Sequence, residues 1–283
     1  MQLLFYRSFI IILFLFPVLS LAQNNKAELL VKVEGFSHPE SVVFDSINKV
    51  LYVSNIGEKE QGDGFISKMG VKGEILSQKW IKELNDPKGM LLRGNFLYVT
   101  DNTDLVIIDI DKNEIIERIQ VEGAGFLNDI AEGPAGTIYV SDTRNSSIFK
   151  RDATGLIHKW MNTPQLEYPN GLLVVDNDLY VAAWGREEPG NVLRVNLDSK
   201  EIEKVSNLGL GNLDGIQRVN KGEFYVSDWA TGRIYLVSEN KESIEIITSQ
   251  KSAGDILYLK DLKQIVIPMN IQNEVWWYQL PEN

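Results

Sequence analysis

The chain has 283 residues, 44% hydrophobic and 10% aromatic, with 28 basic against 39 acidic side chains and a formal net charge of −11. That is the composition of a globular rather than a disordered protein, and an acidic chain with no basic cluster interleaved with aromatics is not built to bind nucleic acid. No cysteine is present, which excludes disulfides and a lipid-modified cysteine.

Residues 1–22 have the three-part form of a secretory signal: Arg7 as the positive region, Phe9 to Leu19 as the apolar core, and Ser20-Leu21-Ala22 as a small-x-small cleavage site. The apolar stretch is short for a membrane span, which takes about 20 residues. The expectation is an exported protein, periplasmic or secreted, with no stable membrane insertion after cleavage. The 261 residues from 23 to 283 are ample for one all-β domain.

Glu28 to Val33 reads as a strand standing alone. Six units then follow, anchored on Tyr52, Tyr98, Tyr139, Tyr180, Tyr225 and Val266, at intervals of 41 to 46 residues. The first unit has strand-like runs at Ser41 to Phe44, Val50 to Ser54, Gly64 to Met69 and Gly73 to Trp80. Turn chemistry separates the first two runs of each unit, as in Arg93-Gly94-Asn95 and Asp176-Asn177-Asp178. The last unit offers only three runs, Ile256 to Leu259, Gln264 to Ile267 and Asn273 to Gln279. No sustained helical period appears between 23 and 283. Four short strands recurring at this spacing predict an all-β, six-bladed β-propeller with four antiparallel strands per blade. Glu28 to Val33 is expected to complete the last blade and close the ring by edge-strand hydrogen bonds.

Counting back 10 to 12 residues from each anchor reaches Glu40, Lys88, Asn128, Asn170, Asp214 and Asp255. Two readings stand for this column: turn dipeptides of the Asn-Asp, Asn-Gly and Asp-Gly kind, or a site in the loops that enter the central channel. The hairpin turns lie about five or six residues later, which favours a site. Hard oxygen donors suit Ca2+, which takes about 6 to 8 oxygens in flexible geometry, with Mg2+ as second candidate. Zinc is disfavoured, since the only histidines are His38 and His158.

The chain resembles the SMP-30/gluconolactonase family of six-bladed propellers, which includes calcium-dependent phosphotriesterases. The motifs are Pro39-Glu40, Leu127-Asn128-Asp129, Pro169-Asn170-Gly171 and Leu213-Asp214-Gly215, in order and at blade spacing. The resemblance implies that Glu40, Asn128, Asn170 and Asp214 hold one divalent cation, and that Asp214 doubles as candidate general base in hydrolysis of a lactone or ester. Two positions depart from the pattern. Phe126 stands where sugar-lactone members have arginine, which points to a more apolar substrate, and Lys88 occupies the second-blade place in the column. Lys88 either snorkels to solvent, points inward and offsets one carboxylate, or replaces the metal by pairing with Glu40 or Asp255.

Residues following the second strands, among them Asn55, Asp101, Asp142, Arg144, Trp184, Arg186 and Trp229, are expected around the pocket. Their Asp members read as turn residues that accept backbone N–H groups, whereas Trp184 and Trp229 are candidate apolar walls. Lys88, Asp129, Trp184, Trp229 and Asp255 are thus the candidate substrate contacts. Trp276 and Trp277 are expected between blades, and His38 at the rim. The functional expectation is a monomeric hydrolase of a small molecule. The rival is a non-catalytic propeller, similar to NHL-repeat scaffolds, binding a peptide or glycan.

Overall fold

The computed structural model describes residues 26–58 and 60–281, so the expected signal at 1–22 lies outside the described residues. Six four-stranded antiparallel sheets are arranged as a six-bladed β-propeller. Among the described residues helix is confined to three single 3-10 turns, and no helix is long and apolar enough to cross a membrane.

Five blades are consecutive in sequence. Blade one runs Pro39–Asp45, Val50–Asn55, Gly64–Gly70 and Ile75–Leu84. Its outer strand continues past Trp80 because Ile81 and Leu84 bury their side chains against blade two. The sixth blade draws on both ends of the chain. Glu28–Glu34 pairs antiparallel with Glu274–Gln279, Glu28 lying opposite Gln279 and Glu34 opposite Glu274. It thereby covers an edge that would otherwise present unpaired backbone groups.

Period-two alternation sends successive side chains to opposite faces of each blade, and each face meets a neighbouring blade. Six apolar clusters result, one per interface. Tyr52 and Leu84 pack with Leu97 and Val99 between blades one and two. Trp276 and Trp277, adjacent on one strand and each 2% exposed, enter opposite interfaces: Trp276 towards blade five, Trp277 towards blade one.

The innermost strands of blades one to five begin at Pro39, Pro87, Leu127, Pro169 and Leu213. In each, the register against the second strand shifts over the next residues, at Pro39/Val42, Pro87/Met90, Leu127/Ile130, Pro169/Leu172 and Leu213/Ile216. A bulge re-aims the side chain it carries. The column residues therefore sit inside the strand, second from its start, and not in the preceding loop.

Blade six corrects the column. Ala253 bridges Met269 as Pro39 pairs with Asn55, which makes Gly254 the equivalent of Glu40. Asp255 falls one residue deeper, level with Ser41 and Asp129. Counting back cannot separate the two, because the window of 10 to 12 residues before Val266 holds both Gly254 and Asp255.

Hydroxyl groups tie the inner strands into a ring. Ser141 Oγ accepts from Asp129 N at 2.8 Å and donates to Asn170 O of the next blade at 2.7 Å. Ser227 Oγ likewise accepts from Gly215 N and donates to Gly254 O, both at 2.8 Å. Thr100 donates to the carbonyl of Asn128. These bonds hold Asn128, Asn170 and Gly254, each from the blade before it.

Candidate active site

Glu40, Lys88, Asn128, Asn170 and Asp214, drawn from blades one to five, line one cavity of about 400 Å³ at the channel mouth. A larger cavity, about 790 Å³, opens between blades five and six and includes none of them. We take the smaller as the site because polar groups converge there.

Glu40 is 7% exposed and Asp214 4%, yet Glu40 Oε2 and Asp214 Oδ1 have no hydrogen-bond partner. Burial, followed by the charge of Asp214, pushes Glu40 well above the usual carboxylate range, against the opposing charge of Lys88. Burial, followed by the charges of Asp255 and Asp129, does the same to Asp214, against Lys88 and a hydrogen bond from Asn170. A buried carboxylate oxygen without a donor costs free energy, and burial of the two in one cavity disfavours their ionised forms. The amides are oriented by their donor ends. Asn128 Nδ2 donates to Thr143 Oγ1 at 3.2 Å, and Thr143 in turn donates to Pro169 O at 2.8 Å. No described group donates to either Asn128 Oδ1 or Asn170 Oδ1, so the set offers two carboxylates and two amide oxygens. Among the described residues no cluster of three or more His, Cys, Asp or Glu is arranged for a metal. The donor set is thus hard and oxygen-only, which suits Ca2+ or Mg2+ and not zinc.

Lys88 is only 4% exposed and does not snorkel. Its Nζ lies 2.7 Å from Asp86 Oδ1 and 4.7 Å from the centre of the Phe126 ring. Its ion-pair partner is therefore Asp86, not Glu40 or Asp255. Asp86 reaches it from the loop just before the strand Pro87–Arg93, a position the repeat comparison had no reason to select.

Asp129 and Asp255, expected as substrate contacts, do not line the cavity. Asp129 Oδ1 accepts from Ile130 N at 2.7 Å and its Oδ2 from Leu172 N, in the next blade, at 2.6 Å. Asp255 Oδ2 accepts from Ser41 Oγ at 2.7 Å, again across a blade boundary. Burial pushes Asp255 up to about 7, against that bond. Both occupy a layer where other blades carry Gly89, Gly171 and Gly215. An added Cβ on any of these would come within 2.1 to 2.5 Å of the neighbouring blade.

Trp184 and Trp229 do line the cavity, with ring centres 5.7 Å apart and planes inclined at 50°. Arg144 and Arg186 join them. Asn55, Asp101 and Asp142 are fully buried and accept backbone N–H groups instead: Ser37 on Asn55, Asn85 and Asp86 on Asp101, Gly125 and Phe126 on Asp142. His38 lies outside the cavity lining, 3.9 Å from Glu58. The lining also contains Ile56, Thr143 and Asn270, which sequence reasoning passed over. Each stands one residue beyond the end of its blade's second strand, as Trp184 and Trp229 do in theirs. Counting one residue past those strands would have found all five.

No protein-family model and no curated protein matches the chain. Solved structures do. A gluconolactonase from Xanthomonas campestris superposes with a TM-score of 0.72 at 14% identity, over 92% of each chain. An inactive virginiamycin B lyase from Staphylococcus aureus gives 0.63 at 15% identity, over 90% of this chain and 99% of that one. A streptogramin B lyase gives 0.61 at 13% identity, over 90% and 98%. At these identities the likeness is one of fold, and it fits the SMP-30/gluconolactonase-like family that the four motifs resemble.

Proposed function

We propose that this protein is an exported, metal-dependent hydrolase of a lactone, ester or related small molecule. The observation that carries the reading is the pair of buried, unpartnered oxygens, Glu40 Oε2 and Asp214 Oδ1, in the same cavity as Asn128 and Asn170. These four residues would hold one divalent cation, Ca2+ in the first instance. When bound, such an ion polarises a carbonyl oxygen and stabilises the charge that develops there.

The protein's own groups do the rest. Asp214 orients a water by its carboxylate and accepts its proton as the water adds to the carbonyl; the adduct then collapses with cleavage of the acyl C–O bond, and the proton passes from Asp214 to the departing alkoxide oxygen. Lys88, neutralised by Asp86, keeps its ammonium near Glu40 and Asp214 and moderates their repulsion. Trp184 and Trp229 offer an apolar wall, and Phe126 adds to it where a polar contact for sugar hydroxyls would otherwise be. A lactone or ester with an apolar body fits this lining better than a sugar lactone. The same reading makes the protein a monomer acting on small molecules outside the cytoplasm.

The test is an assay of purified protein on a panel of lactones and aryl esters, with and without a chelator. Hydrolysis that chelation abolishes and calcium restores is expected. Hydrolysis indifferent to chelation would contradict the metal role, and no turnover across the panel would favour a non-catalytic propeller.

A further inference from the structure

Blades three and four repeat one arrangement that the hydrolytic reading leaves unused. In each, an aromatic residue stands two positions before the column amide and an arginine sixteen after it: Phe126, Asn128, Arg144 and Tyr168, Asn170, Arg186. The guanidinium stacks on its own blade's aromatic ring, Arg144 at 5.6 Å from the centre of Phe126 and Arg186 at 4.0 Å from that of Tyr168. Stacking of this kind holds the planar fork in place while leaving its edge donors free.

Both arginines line the 400 Å³ cavity, and neither has an ion pair with a described residue, although Glu187 and Glu188 follow Arg186 directly. Arg93, Arg118, Arg194 and Arg233, elsewhere in the molecule, are each paired with a carboxylate. Arg151 and Arg218 are unpaired too, but they do not line the cavity. A charge count sharpens the point. A divalent cation would balance Glu40 and Asp214, Asp86 balances Lys88, and the two guanidiniums remain uncompensated at the mouth of a chain whose net charge is −11. The column is polarised in the same sense. Its carboxylates come from blades one and five, while blades three and four, which carry the two arginines, offer neutral amides. An anion held by the arginines would lie over amides and away from the acidic side.

We infer that the substrate is an anion: an ester or lactone that carries a carboxylate, gripped by Arg144 and Arg186, with its apolar body against Trp184 and Trp229. Arginine forks match a carboxylate with paired hydrogen bonds. The grip would also set orientation, since the anionic end belongs to blades three and four and the reacting carbonyl to the axis. This inference takes the reaction from the hydrolase proposal, but the charge of the ligand stands on the rim residues alone.

The experiment compares 4-nitrophenyl hexanoate with the 4-nitrophenyl monoester of adipate, equal in chain length and differing by one terminal carboxylate. Wild-type protein should show kcat/KM at least tenfold higher for the adipate ester, about 1.4 kcal/mol. The variant R144Q/R186Q should lose at least tenfold more on the adipate ester than on the hexanoate. Equal rates on the two esters, or a preference that survives in the variant, would overturn the inference and leave the hydrolase reading standing. A binding arm separates the two failures. Titration calorimetry with indole-3-acetate and indole-3-acetamide needs no turnover, and the acetate should bind at least tenfold tighter in wild type and lose that margin in the variant. If neither ester is cleaved, the hydrolase reading fails on these compounds and calorimetry alone decides. Indole-3-acetate bound no better than the amide, or not bound at all, would refute the anion-binding rim.

Discussion

Two layers of the channel, one residue apart in every blade, behave in opposite ways. The upper layer holds Glu40, Lys88, Asn128, Asn170, Asp214 and Gly254, and two of its carboxylate oxygens have no partner. The layer below holds Ser41, Asp129 and Asp255 among three glycines; Asp129 accepts two backbone N–H groups, and Asp255 accepts the Ser41 hydroxyl. Both layers contain buried acids whose protonation is favoured by burial. What separates them is whether the protein itself supplies the donors. Where it does, the acid clamps neighbouring blades together. Where it does not, a carboxylate oxygen stays buried without a partner.

The contrast predicts effects of opposite sign. Substituting D214N should lower kcat at least a hundredfold, since a positioned base and charge-stabilising group contribute on the order of 10² or more each. Calcium affinity should fall less, which parallel kinetics and calorimetry would check; equal losses would reduce Asp214 to a ligand. In the absence of metal the variant E40Q should raise the melting temperature, because a neutral amide is spared the cost of protonating, or burying unpaired, a carboxylate whose ionised form burial disfavours. One layer deeper, Asp129→Ala strands the N–H groups of Ile130 and Leu172 and should cost about 3 kcal/mol in denaturant unfolding. A metal-free E40Q that melts below wild type, or an Asp129→Ala that costs nothing, would erase the distinction between layers.

How much of this the sequence made legible follows the same division. Blade number, strand order and the four column residues with oxygen side chains were readable because each repeats or matches a motif at fixed spacing. The interblade placement of Trp276 and Trp277 was readable from their adjacency in a strand. The Asp255 misplacement was not avoidable by counting: hairpins of different length make positions 254 and 255 equally good, and only strand pairing chooses between them. The Lys88 partner was hidden for a different reason. Asp86 lies in a loop two residues earlier, outside the repeating strands, and its approach depends on how Asp101 holds the backbone of Asn85 and Asp86. Thr100, Ser141 and Ser227, each just before a turn Asp, read in sequence as ordinary strand residues, and only the approach of the next blade's carbonyl makes them ties.

Asp255 has a folded pKa of about 7, above the ordinary carboxylate value of about 4 expected in the unfolded chain. The native state therefore holds a proton that the unfolded state has released. Its contribution to stability is greatest at the acid end of that interval and is lost as pH rises through 7. Metal-free protein should melt progressively lower between pH 4 and pH 7, and D255N should flatten the upper part of that slope. Calcium reverses the trend, because the cation favours the ionised forms of Glu40 and Asp214; its stabilising effect should grow with pH over the same range. S141A removes a hydroxyl that serves two blades and should cost about 1 to 3 kcal/mol, with a weaker calcium response because Asn170 loses its tether.

If the upper layer is built for a cation, calcium titration followed by thermal or denaturant unfolding will register it. Free calcium at about 100 times its dissociation constant should stabilise wild-type protein by about 2.7 kcal/mol, and the double variant E40Q/D214N should not respond. No shift in wild type at millimolar calcium or magnesium would show that the upper layer holds no such cation.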